Sequence, residues 1–130
     1  MTEGVKGSVL VVEDEPLLGN LLKRRLAKEG FEVLYAKDGE EALEVLKQSE
    51  PDLMLLDIIL PKISGFELLE IISVDPQLSG KKIPVVVISN LGQEGDIEKA
   101  RSLGVVGYFV KAQLSFEDLV RQVKDFFKGK

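Results

Sequence analysis

Apolar positions along the chain fall into two alternating patterns. Ser8-Val9-Leu10-Val11-Val12, Leu53 to Leu56 and Pro84-Val85-Val86-Val87-Ile88 are short continuous runs. They lack the every-second-residue rhythm of a half-solvated sheet, so each predicts a strand covered on both faces. Phe31 to Tyr35 and Val105 to Val110 supply two more strands. Between the runs, apolar residues recur three and four apart. Leu18, Leu21, Leu22 and Leu26 predict a helix that opens near Pro16 and closes at Gly30. Ala42, Leu43, Val45 and Leu46 predict a second helix after Asp38-Gly39, and Phe66, Leu68, Leu69 and Ile72 a third, capped by Ser64. The segment from about Gln93 to Leu103 offers only Ile97, Ala100 and Leu103 for packing and contains Gly95, so the fourth helix is weakly anchored. Phe116, Leu119, Val120, Val123, Phe126 and Phe127 share one face of a strongly amphipathic last helix. Asp75 to Ile83 reads as a polar loop.

Strand and helix alternate five times with short connections. That pattern implies a parallel sheet with helices on both faces, and right-handed crossovers leave a doubly wound arrangement. The expected fold is α/β, flavodoxin-like, with five helices and a five-stranded parallel sheet in the order 2-1-3-4-5. The 130 residues suit one domain. Residues 1–7 are expected to form a loose tail and 8–128 the folded unit.

Composition narrows the chemistry. The 45% hydrophobic content supports a core without a disulfide or metal staple. With 17 basic and 22 acidic side chains the net charge is −5 and no basic block occurs, which argues against direct nucleic-acid binding. The absence of Cys removes thiol nucleophiles and Cys-ligated metals, and fits a reducing compartment. The absence of His removes a Ser-His-Asp triad and histidine-ligated zinc. No apolar run approaches the ~20 residues of a membrane span. A cytoplasmic protein with no membrane contact is expected.

Ligands of such sheets bind at the carboxyl ends of the strands, beside the switch between strands 1 and 3. Strand 1 ends in Glu13 and Asp14, strand 3 in Asp57, strand 4 in Ser89 and strand 5 in Lys111. Each residue alone has a plainer reading. Asp57 suits a solvated strand end, a turn cap or the partner of a lysine; Ser89 a turn; Lys111 a solvated charge; Glu13-Asp14-Glu15 a helix-start acid cluster before Pro16. Together at one edge they point to a site. At ~4 Å and an effective dielectric near 20, each like-charge contact between the acids costs about 4 kcal/mol, more than one lysine relieves. A hard divalent cation relieves it, and oxygen-only ligands select Mg²⁺, with Mn²⁺ as the alternative. A phosphoryl group can then approach. Asp57, central between the acid pair and Lys111, is the candidate nucleophile for an acyl phosphate, with Lys111 and the Ser89 hydroxyl holding the other oxygens.

With these residues the sequence resembles the receiver domain of two-component response regulators, specifically the single-domain chemotaxis type. The likeness runs from about Ser8 to Phe127. It rests on Val11-Val12-Glu13-Asp14, on Asp57-x-x-x-Pro61-x-x-Ser64-Gly65, on Ser89 after an apolar strand and on Tyr108-x-x-Lys111. The resemblance implies that Glu13, Asp14, Asp57 and the main-chain carbonyl of Ile59 bind the metal. It implies that Asp57 accepts phosphate from a phosphohistidine on a sensor kinase or phosphotransfer protein, and that Ser89 and Lys111 contact the phosphoryl group. Ser89 and Tyr108 then match the switch pair, the aromatic turning inward as the fourth helix, fifth strand and fifth helix change their surface for a downstream effector.

The sequence departs from the family pattern where Ala112 replaces the usual proline after the lysine, leaving either a trans bond with Lys111 entering at a different angle or a strained loop. Asn90 stands where a small residue is usual, and Ile59 and Leu91 are apolar where polar side chains orient a hydrolytic water. Slow self-dephosphorylation is expected. Rival readings fit less well. A phosphatase of the haloacid dehalogenase type wants a second Asp where Ile59 stands. An FMN carrier wants a hydroxyl- and glycine-rich loop where Glu13-Asp14-Glu15 stands. No Walker motif occurs. The alternative is a phosphorylation-independent interaction module, which Ala112 and Asn90 keep open. The expectation is a phosphorylatable switch, monomer or weak dimer, that is no metabolic enzyme and catalyses only its own phosphoryl transfer and dephosphorylation.

Overall fold

The computed structural model describes residues 7–113 and 115–128; of the tail expected over 1–7, only Gly7 falls within them. Strands β1 (Ser8–Val12), β2 (Glu32–Ala36), β3 (Leu53–Leu56), β4 (Val85–Ser89) and β5 (Gly107–Val110) alternate with helices α1 (Pro16–Lys28), α2 (Gly39–Gln48), α3 (Gly65–Val74), α4 (Glu94–Ser102) and α5 (Phe116–Lys128). Every strand pairing is parallel and the order is β2-β1-β3-β4-β5, as the alternation of patterns predicts.

The continuous apolar strands are explained by cover on both faces. Val9 to Val12 and Leu53 to Leu56 are buried throughout, and the two-residue period of a strand sends neighbours to opposite sides. Leu10, Val12, Met54, Leu56 and Val87 meet Ala42, Leu46, Leu68 and Ala100 from α2, α3 and α4. Val9, Val11, Leu53, Leu55 and Ile88 meet Leu22, Leu26, Leu119 and Val123 from α1 and α5.

The helix termini follow their local chemistry. Asp38 caps α2 through the Glu41 amide at 2.8 Å. Ser64 and Glu67 form a reciprocal capping box on α3. Gly65 is required by closeness: an added Cβ would lie 2.7 Å from the Asp57 carbonyl oxygen and from the Ile58 Cα. A side chain there would push α3 off the end of β3, where Asp57 sits.

Some sequence expectations shift. Leu21 is not a core residue: it is 47% exposed, while Gly19 is buried beneath the Tyr35 ring. The buried row is Leu22 and Leu26 with half-buried Leu18, spaced four apart, and Leu17 and Leu21 form the adjacent solvent-facing row. The Asp75 to Ile83 loop is not simply polar, since Leu78 is buried and packs into the core. The second strand starts one residue later than expected, at Glu32. β5 starts at Gly107 rather than Val105; Val106 joins the sheet edge through its amide to the Val85 carbonyl at 2.8 Å but leaves its side chain exposed. α4 is as thinly anchored as its sequence suggests, burying only Ala100. Among the described residues no helix is long and apolar enough to cross a membrane.

Candidate functional site

The sheet register brings the acids together. Val12 pairs with Leu56, so the residues that follow, Glu13 and Asp57, leave the sheet side by side. The ladder continues one step beyond the strands: the Asp57 amide donates to the Val12 carbonyl at 3.1 Å and the Glu13 amide to the Ala36 carbonyl at 3.0 Å. On the far side Ser89 pairs with Val110, which places Lys111 at the β5 exit. Because β4 lies between β3 and β5, the lysine stem crosses the end of β4 to reach the acids.

Its ammonium lies 2.8 Å from Asp57 Oδ2, 2.9 Å from Glu13 Oε1 and 2.7 Å from Glu15 Oε1. Glu13 and Asp57 are buried, whereas Asp14 and Glu15 are exposed. Asp57 Oδ1 accepts from the Ile59 amide at 3.0 Å. Glu13 Oε2 accepts from the Glu15 amide at 3.1 Å. Carboxylate oxygens of Glu13, Asp14 and Asp57 all lie within 4.8 Å of one another. Sequence reasoning missed Glu15 as a partner of Lys111, although its place in the acidic run was the available signal.

The electrostatics follow from one cation among four acids. Burial pushes Glu13 above the ordinary carboxylate range; the close Lys111 ammonium and the hydrogen bond from the Glu15 amide oppose the shift without cancelling it. Burial pulls Lys111 down, but its bonds to Asp57, Glu15 and Glu13 outweigh that and hold the ammonium above the ordinary lysine range. Lys111 is therefore fully charged at neutral pH.

Ser89 is wholly buried, and its hydroxyl accepts from the Leu91 amide at 3.3 Å. Half-buried Tyr108 donates its phenol to the Leu91 carbonyl. Ser89 and Tyr108 thus hold the two polar groups of one residue in the turn after β4. Asn90 is exposed. No cis peptide bond occurs among the described residues, so Lys111-Ala112 is trans, and Lys111–Gln113 forms a single 3₁₀ turn. The trans alternative raised by Ala112 is the one adopted, and Lys111 still reaches Asp57.

The donor set suits a hard divalent cation. It is all oxygen, it carries excess negative charge, and Glu13 Oε1, buried and without an aligned hydrogen-bond donor, has only the ion pair with Lys111 for compensation. Ile59, 53% exposed, stands beside this cluster with its amide on Asp57 Oδ1.

These features define a doubly wound α/β protein whose switch point is an aspartate-centred acidic pocket crossed by a lysine. Comparison with known proteins agrees. Residues 9–124 match the response regulator receiver domain family. The chain is 32% identical over 119 residues to the polar-differentiation response regulator DivK of Brucella anthropi, covering 92% of this chain and 94% of DivK. It is 36% identical over 116 residues to the uncharacterized transcriptional regulatory protein YcbL of Bacillus subtilis, covering 88% of this chain but only 48% of YcbL, so it spans about half of that relative. The phosphorylated cyanobacterial phytochrome response regulator RcpA superposes with a TM-score of 0.80 at 35% identity over 94% of both chains. The Mn²⁺-bound form of response regulator Rcp1 gives 0.76 at 32% identity, over 92% of this chain and 91% of Rcp1. The chain belongs to the receiver domain family of two-component response regulators. Receivers are signalling modules that bind Mg²⁺ or Mn²⁺ at an acidic pocket and work between histidine kinases or phosphotransfer proteins and downstream effectors.

Proposed function

We propose that residues 8–128 form a receiver that takes a phosphoryl group from a phosphohistidine onto Asp57 and answers by changing the surface of α4, β5 and α5 for an effector protein. The observation that carries this reading is the Lys111 ammonium, 2.8 Å from Asp57 Oδ2, beside carboxylate oxygens of Glu13, Asp14 and Asp57 within 4.8 Å of one another. Glu13, Asp14, Asp57 and the Ile59 carbonyl are the groups that would hold Mg²⁺ or Mn²⁺. When bound, the cation supplies charge neutralisation, so that an anionic donor is no longer repelled.

The protein's own part is positioning. The Ile59 amide and Lys111 fix both oxygens of Asp57, so the nucleophile is aimed before the donor arrives. An Asp57 oxygen bonds to phosphorus as the phosphorus–nitrogen bond of the donor breaks, and the imidazole leaves to take up a proton. Lys111 then shares its charge with the new phosphoryl oxygens, and the buried Ser89 hydroxyl turns toward them as a donor. In turning, Ser89 gives up the Leu91 amide, and Tyr108 moves into the space it leaves. Exposed Ile59 and half-buried Leu91 offer no polar side chain to orient water, so the acyl phosphate decays slowly.

Intact-mass spectrometry after incubation with acetyl phosphate and Mg²⁺ tests the reading. The wild type is expected to gain one phosphoryl group, lost on chelation of the metal and in Asp57→Asn. Equal labelling of Asp57→Asn would move the acceptor elsewhere. No labelling of the wild type, with effector binding intact, would favour a phosphorylation-independent module.

A further inference from the structure

Tyr35 touches the acid pair without a part in the phosphoryl chemistry. Its phenol donates to the main-chain carbonyl of Glu13 at 2.6 Å. That carbonyl and the Asp14 amide belong to one planar peptide unit, so whatever fixes the carbonyl also fixes the N–Cα bond of Asp14, the first bond of the path to its carboxylate. Glu13 is held four times over: by its amide on Ala36, its carbonyl on Tyr35, and its two carboxylate oxygens on the Glu15 amide and Lys111. Asp14 differs. It is exposed, and no hydrogen bond or ion pair of its side chain occurs among the described residues, so the preceding peptide is the nearest fixed group that limits where its carboxylate can reach.

The ring packs against the core on the α1 side, which holds its hydroxyl in reach of this contact. It lies over Gly19 of α1, where a Cβ would stand 2.6 Å from Tyr35 Cε1 and 2.8 Å from its hydroxyl. The Lys23 ammonium covers the ring at 5.3 Å from its centroid. The absence of a side chain at position 19 thus opens the slot through which the phenol reaches Glu13.

We infer that Tyr35 is a positioning residue for metal uptake: its hydroxyl clamps the Glu13-Asp14 peptide so that Asp14 faces Glu13 and Asp57, with Gly19 keeping the slot open. The inference rests on the reading of Glu13, Asp14 and Asp57 as the metal site. Groups that orient metal ligands typically change affinity by tenfold or more. Titration calorimetry of the full chain with Mg²⁺ alone provides the test, on wild type, Tyr35→Phe, Gly19→Ala and the double variant. Tyr35→Phe, which keeps the ring and its packing, should bind Mg²⁺ about tenfold more weakly while remaining cooperatively folded, its thermal midpoint lowered by only a few degrees for the lost hydrogen bond. Gly19→Ala should show a similar defect, and the double variant should be no weaker than the weaker single, because both break one contact. In acetyl phosphate labelling, Tyr35→Phe should need more Mg²⁺ for half-maximal rate yet reach the wild-type rate at saturation. Wild type that binds Mg²⁺ with Tyr35→Phe binding equally well overturns the clamp alone. Additive defects in the double variant also overturn it. Wild type that takes up no Mg²⁺ overturns the metal site and the clamp together.

Discussion

On one side of Asp57 the turn between β1 and α1 is tied down through hydrogen bonds at the amide, the carbonyl and Oε2 of Glu13, and the helix that follows buries Leu22 and Leu26 completely. On the other side the turn between β4 and α4 has a 3.3 Å bond from the Leu91 amide to Ser89, one phenol on the Leu91 carbonyl, and a helix that buries only Ala100. A fully buried leucine contributes about 2 kcal/mol and a methyl group under 1, so the two helices differ several-fold in what anchors them. α4 also lacks a side-chain cap and touches α3 through Lys99, whose ammonium stands 4.7 Å from the Phe66 ring centroid. The difference divides the labour. Ligands for a cation must not move, because geometry sets their affinity, whereas a surface that reports phosphorylation must move at low cost.

The contrast can be broken in measurable ways. The largest effect is expected at the group joining the two sides. Lys111→Ala leaves Glu13 and Asp57 buried without their cation and should cost about 3 kcal/mol without Mg²⁺, read by urea unfolding; a loss below about 1 kcal/mol would mean the ion pairs are solvent-screened. Next, Gly65→Ala presses a Cβ within 2.7 Å of the Asp57 carbonyl and the Ile58 Cα. Overpacking of this kind costs about 2 kcal/mol, and it should slow phosphoryl uptake as well by shifting Asp57.

A gain of stability comes third. Burial raises Glu13, so the native state holds that proton more tightly than the unfolded chain does. The stabilisation from the bound proton is complete below the unfolded value of 4.5 and is lost as pH rises through the higher native value, leaving a cost at neutral pH. Without Mg²⁺, Glu13→Gln should therefore raise the calorimetric midpoint at neutral pH and leave it unchanged below the unfolded value. A higher midpoint at both would trace the gain to packing instead. Smallest is the effect on the loose side: Ile97→Ala, half-buried on α4, should cost below about 1 kcal/mol while increasing hydrogen exchange in α4.

How much of this is legible in the sequence depends on whether one strand or two elements decide the matter. Each buried strand announces itself by its own apolar run, and its end residue is read off directly, which is why Glu13, Asp14, Asp57, Ser89 and Lys111 stand out before any coordinates. The register that brings Asp57 beside Glu13 follows from the parallel order. What is not legible is chosen by a neighbour. Leu21 and Leu22 stand at the two edges of one apolar arc, about 100° apart, and only the neighbours, with Tyr35 lying over Gly19, show which edge faces the core. Leu78 looks like any loop residue until the turn folds back under the sheet. Glu15 and Tyr35 act on the site through Lys111 and the Glu13 carbonyl, contacts that span 96 and 22 positions.

On the proposed function, phosphoryl chemistry at Asp57 moves the β4–α4–β5 side and leaves the β1–α1 side in place. Hydrogen exchange read by mass spectrometry, on the protein with Mg²⁺ alone and with Mg²⁺ plus a beryllofluoride phosphoryl mimic, tests it most directly. Altered exchange is expected in the peptides covering residues 90–110 and none in those covering 8–28. Unchanged exchange at 90–110, or a change of equal size in α1, would contradict it.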